Sequence, residues 1–144
     1  MLLRLSLILC CLALPAMAQE PIRLQITFDA KAAAKIADAK EMVEVSSWYE
    51  GEPTPAGAPY ISEIGLVYLG AETYQILPRD QIITLGGAQA GLPLDLVKEP
   101  MLTVNAYTAR HVFEDNLLDC GLVSGTVAEL AGKTHIITCK LIGD

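Results

Sequence analysis

The chain has 144 residues, 52% of them hydrophobic, with 17 Asp and Glu against 10 Lys and Arg and a net charge of −7. An acidic chain without a basic cluster repels phosphate backbones and anionic lipid, which excludes nucleic-acid binding from its expected functions. Its length fits a single domain with a core of its own, and no internal repeat or low-complexity tract divides it.

At the N-terminus, Arg4 precedes an almost unbroken apolar run from Leu5 to Leu14. Pro15 ends the run, and Ala16-Met17-Ala18 offer the small side chains that a signal peptidase accepts. This order predicts a cleavable signal peptide over residues 1–18 and one exported domain over 19–144, periplasmic or secreted. The apolar run is about half the roughly 20 residues that a spanning helix needs, and nothing after Ala18 resembles a membrane span. Lipidation of Cys10 or Cys11 is the weaker alternative, because bulky Leu7, Ile8 and Leu9 stand where small residues are expected. Cleavage removes Arg4 and leaves nine basic against seventeen acidic residues, a net charge of −8.

The domain opens on strict alternation: Ile22, Leu24, Ile26 and Phe28 point one way, and Arg23, Gln25 and Thr27 the other, as in a half-buried strand. Asp29 then caps an alanine-rich stretch, Asp29 to Met42, predicted to be a short helix. Further strands are expected at Met42–Tyr49, Ile64–Leu69, Tyr74–Leu77, Ile82–Leu85 and Leu102–Thr108. In the last of these, Leu102, Val104 and Ala106 turn inward and Thr103, Asn105 and Tyr107 outward. Pro53, Pro55, Gly57 and Pro59 mark residues 51–59 as a loop, and Gly86, Gly87, Gly91 and Pro93 mark a second break. Asp115 and Asn116 are turn formers in the polar stretch that follows Thr108. Leu118, Cys120 and Leu122 are expected to share one strand face, and Ile137, Cys139 and Leu141 another, with a helical turn at Val127–Leu130 between them.

Seven or eight short strands joined by Gly and Pro connections predict a mainly β fold with one short helix near the N-terminus. An antiparallel β-sandwich of immunoglobulin-like general type is favoured over a small barrel, with strand order left open. Cys120 and Cys139 are the cysteines left after cleavage. In an oxidising compartment such a pair is expected to form a structural disulfide, between two strands or across the two sheets. A redox or metal-binding dithiol would place its cysteines closer in sequence.

Catalytic signatures are missing. No G-x-S-x-G is present, Ser124 between Val123 and Gly125 is an ordinary turn serine, and the carboxylates are scattered. His111, Glu114, Asp115 and His135 carry suitable ligand atoms but no recognised metal spacing, so no metal or cofactor is expected. Two segments are candidate binding sites. The first is the aromatic cluster around the proline-rich loop, with Trp48, Tyr49 and Tyr60, and Glu50 and Glu52 for polar contacts. Alternation sends Trp48 and Tyr49 to opposite faces, so one of them belongs to the core. The second segment holds Arg110 and His111, in a loop where a sandwich commonly binds. The leading expectation is a non-catalytic envelope module that binds a protein partner. Alternatives are a carbohydrate- or small-ligand-binding sandwich, and an enzyme with an unrecognised active site.

Overall fold

The computed structural model describes residues 20–86 and 91–144, so the predicted signal peptide and its cleavage site lie outside the described residues. In chain order the elements are β1 (Ile22–Phe28), α1 (Ala30–Asp38), β2 (Val43–Gly51), β3 (Val67–Ile76), β4 (Gln81–Leu85), β5 (Met101–Thr108), β6 (Leu118–Asp119), β7 (Leu122–Thr126), α2 (Val127–Leu130) and β8 (Thr134–Leu141). Alternation does what it predicts in β1, whose Ile22, Leu24 and Ile26 are fully buried while Arg23 and Gln25 are exposed. The same holds in β5, where Leu102, Val104 and Ala106 enter the core.

Two four-stranded sheets result, ordered β4-β1-β8-β6 and β3-β2-β5-β7, and they pack as a β-sandwich. Every pairing is antiparallel except β1 with β8, the first and last strands, which run parallel at the centre of the first sheet. Among the described residues, β2 and β3 are the only consecutive strands that lie side by side in one sheet. The other connections pass from sheet to sheet, so each inward face receives its partner face directly from the next stretch of chain. Side chains also tie the sheets at one edge: the Tyr74 hydroxyl donates to Glu72 Oε2 at 2.6 Å and reaches the carbonyl of Thr84 on β4 at 3.4 Å.

Helix α1 begins as its composition predicts, with the Asp29 carboxylate accepting from the Ala32 amide at 2.6 Å. It ends four residues before Met42. The amides of Lys40 and Glu41 donate back to the carbonyls of Ala37 and Ile36, with Lys40 in the left-handed region at φ 57°. This is the Schellman pattern, closed here without the usual glycine.

Three expectations are corrected, the first being the turn assigned to Ser124, which instead lies within β7 opposite Thr103 because pairing with β5 extends the strand through it. The separate strands at Ile64–Leu69 and Tyr74–Leu77 are one strand, β3, which begins at Val67 and bulges where Gly70 (φ 154°) faces Tyr49. Pairing with β2 carries the strand through the polar stretch between its apolar ends. Leu122 does not share a face with Leu118 and Cys120: those two are buried, whereas Leu122 is 60% exposed. Gly121, at φ 72°, turns the chain from β6 in the first sheet to β7 in the second.

Cys120 and Cys139 are bonded. The bridge lies within the first sheet, because the pairing of Leu118 with Leu141 and of Asp119 with Lys140 sets Cys120 opposite Cys139. Both cysteines are buried beside Leu118 and Ile137 in the core.

Candidate interaction surface

Strand β2 alternates without interruption from Val43 to Gly51, and that alternation separates the two aromatic candidates. Tyr49 is fully buried in the core, together with Val43 and Val45. Trp48 points the other way, half-buried on the outward face of the second sheet, with Ala71 of β3 and Thr103 of β5 as its cross-strand neighbours. Hydroxyl and amide side chains surround it on that face: Ser46, Thr73, Asn105, and Thr103 hydrogen-bonded to Ser124 at 3.1 Å. Farther along, the Tyr107 hydroxyl donates to Glu44 Oε1 at 2.5 Å. That hydrogen bond, and burial after it, push the Tyr107 phenol above its ordinary range.

Beyond Gly51 the proline-rich loop is held against residues 94–98. The Thr54 amide donates to the Leu96 carbonyl at 2.9 Å, its hydroxyl donates to the Asp95 carbonyl at 2.8 Å, and the Lys98 amide donates to the Glu52 carbonyl at 2.9 Å. Gly57 is required at its position because a Cβ there would stand 2.0 Å from the Leu96 carbonyl oxygen. Pro53 bridges to Val97 in the same contact.

After this anchored loop the chain makes a small hairpin. Ile61 bridges Val67, the Ser62 amide donates to the Leu66 carbonyl at 2.8 Å, and Gly65 takes φ 83° in the turn. The hairpin and the residue on either side of it carry an unusual load: Tyr60, Ile61, Ile64 and Tyr68 are 63%, 46%, 75% and 61% exposed. So many large apolar side chains exposed within one short ordered segment are more than the scattered residues of an ordinary surface. Tyr68 pairs with Glu50, so this patch continues onto the outward face that holds Trp48. Beside it opens a cleft of about 420 Å³ lined by Gly51, Glu52, Leu66, Lys98, Glu99 and Met101.

The structure therefore brings Trp48, Glu50, Glu52 and Tyr60 to one end of the second sheet and takes Tyr49 out of the set. Arg110 and His111 are not part of this end. They follow Thr108, which pairs with Val43, whereas Glu50 pairs with Met101. The two segments thus stand at opposite ends of β2, roughly 27 Å apart at strand spacing, and do not form one site.

The Arg110–His111 loop is fixed by a residue with no signal in the sequence. Glu41 is buried, and its carboxylate accepts from the amides of Met42 at 2.8 Å, Val112 at 2.6 Å and Phe113 at 3.1 Å. Burial alone would raise its pKa, but these amides, with that of His111, outweigh it and hold the carboxyl below its usual value. Asn116 ties the far side, its Oδ1 accepting from the amides of Thr108 and Leu118, both at 3.0 Å. Asn116 is thus the local backbone binder its residue type predicts. His111 and Arg110 stay exposed, and the His135 ring nitrogen lies 2.9 Å from the Leu130 carbonyl. Among the described residues, no three His, Cys, Asp or Glu side chains gather as a metal-binding group.

Ile61, Ile64 and Tyr68 lie outside the two segments expected from the sequence to bind, although the sequence carries a signal for Ile64 and Tyr68. The segment Ile64 to Leu69 is apolar on both alternating faces, Ile64, Leu66 and Tyr68 on one and Val67 and Leu69 on the other. A strand of a two-sheet sandwich has a single core side, so within β3 Val67 and Leu69 are buried and Tyr68 is exposed, while Ile64 stands in the turn before the strand. No protein-family model matches the chain, and neither does any curated protein or solved structure.

Proposed function

We propose that this chain is an exported, non-catalytic envelope module that binds a protein partner through the Tyr60–Tyr68 hairpin and the adjoining cleft. The observation that carries the reading is the exposure of Tyr60, Ile61, Ile64 and Tyr68 on a segment held by hydrogen bonds. A backbone already fixed by hydrogen bonds loses little further entropy on contact, and large aromatic and aliphatic side chains supply the anchors of protein interfaces. The signal-like N-terminus and the Cys120–Cys139 bond are in keeping with an oxidising, extracytoplasmic site of action.

The test is capture of envelope proteins by the tagged domain and by its Ile64→Ser/Tyr68→Ser variant. A specific partner retained by the parent and lost by the variant, at unchanged melting temperature, supports the reading. Equal capture by both refutes it. Intact mass measurement of the exported chain tests the export step, with a start at Gln19 expected.

A second reading has its own observation. Trp48 stands amid Ser46, Thr73, Thr103 and Asn105 on an outward face, the combination of ring and hydroxyl or amide groups that suits a neutral glycan. Since Trp48 is the chain's single tryptophan, titration with neutral oligosaccharides read by its fluorescence tests this reading. An unchanged spectrum sinks it.

A further inference from the structure

We infer that the hairpin and cleft select a basic protein segment, one that pairs a large apolar side chain with neighbouring arginine or lysine; this rests on the protein-binding reading above. The apolar hairpin is bordered by carboxylates on several sides. Glu50 is the cross-strand partner of Tyr68, Glu63 lies in the turn between Ile61 and Ile64, and Glu52 and Glu99 line the cleft with Leu66 and Met101. Against these four stands Lys98, the one cation lining that cleft among the described residues, and it is already paired with Glu52 at 3.1 Å.

The surface thus offers apolar contact inside a rim of net negative charge. An acidic partner would bring like charges together and would be rejected. A neutral apolar partner would leave the carboxylates partly desolvated without counter-charges. A segment with cationic side chains beside its apolar anchor satisfies both parts of the surface. Arginine suits it best, because its planar fork can take a carboxylate with two hydrogen bonds. The whole chain's negative charge adds attraction at longer range, so association should slow as salt rises.

The experiment is selection of a random phage-displayed peptide library on the purified protein, followed by affinity measurement with the synthetic consensus peptide. Peptides joining a large apolar residue to adjacent Arg or Lys are expected. Their affinity should fall about tenfold or more in a Glu50→Gln/Glu52→Gln/Glu63→Gln/Glu99→Gln variant and in Ile64→Ser/Tyr68→Ser. Apart from the half-buried Glu50, the substituted positions are exposed, and matching thermal melts will establish that each variant is folded. Recovery of neutral or acidic peptides that still need Ile64 and Tyr68 would overturn the basic-partner inference while leaving the docking surface standing. Recovery of no peptide that depends on Ile64 and Tyr68 would overturn both.

Discussion

Replacing Glu41 by Gln should destabilise the domain by about 3 kcal/mol near neutral pH and loosen the hold on the Arg110–Phe113 loop. The carboxylate divides its two oxygens, Oε1 to the Met42 amide and Oε2 to the amides of Val112 and Phe113. Gln keeps the volume but offers one acceptor, so its NH₂ group must face a backbone donor on one side or the other. A hydrogen bond to a charged group contributes about 1.5–3 kcal/mol, and a buried donor left without an acceptor costs about 1–3 kcal/mol. If the amide oxygen keeps the Val112 and Phe113 pair, the lost bond to Met42 and the weakening of the others bring the total to about 3 kcal/mol.

The pH dependence has a definite sign. Burial opposes the charged form of Glu41, but the amides of Val112, Met42, Phe113 and His111 together favour it more, so its folded pKa lies below the ordinary value of 4.5. Its contribution is therefore full above that ordinary value and disappears as pH falls through the lower folded value. Urea unfolding of both proteins at about pH 7 and about pH 3 should show a wide gap at the first and a narrow one at the second. Hydrogen exchange should quicken most at Met42, and also at Val112 and Phe113, in the variant under neutral conditions. Equal urea midpoints at neutral pH, or a gap that persists undiminished in acid, would refute this account of Glu41.

Three further outcomes follow from the packing. Tyr49→Ala should cost about 3–5 kcal/mol in chemical unfolding, whereas Trp48→Ala, on the outward face, should cost clearly less; comparable losses would mean that Trp48 is a core residue. Replacing Cys120 and Cys139 together by Ala should lower stability by about 3 kcal/mol for a closed loop of this length; free-thiol labelling should find no reactive sulfur in the described domain of the parent, and a double mutant that melts like the parent would refute a structural role. Gly57→Ala must push its methyl group against the Leu96 carbonyl, so a loss of about 3 kcal/mol, at the upper end of overpacking costs, is expected by thermal or urea unfolding; an unchanged midpoint would show that the proline-rich loop is free to move.

The sequence alone determined the features that depend on near neighbours in the chain. Alternation in Ile22–Phe28 and Leu102–Thr108 fixed which residues face the core, because side chains on a strand point to opposite sides in turn. Asp29 announced the start of α1, and Pro53, Pro55 and Gly57 announced a loop, because caps and turns rest on local backbone chemistry. The pairing of Cys120 with Cys139 was legible from the count, since they are the two cysteines that lie outside the N-terminal apolar run.

What only the tertiary structure decided lies in contacts between distant residues. Alternation proved that Trp48 and Tyr49 oppose each other but not which was buried, since the sign depends on where the other sheet lies. The separation of the Arg110–His111 loop from the Trp48–Glu52 segment follows from the antiparallel pairing of β2 with β5, a register between residues more than fifty positions apart. Glu41 reads as one more charge in an acidic chain; burial beneath amides some seventy residues later makes it an anchor. The exposure of Tyr68 was likewise settled by the tertiary structure, since Val67 and Leu69 take the one core face that β3 has, while Ile61 and Ile64 lie in the hairpin before that strand and outside the core.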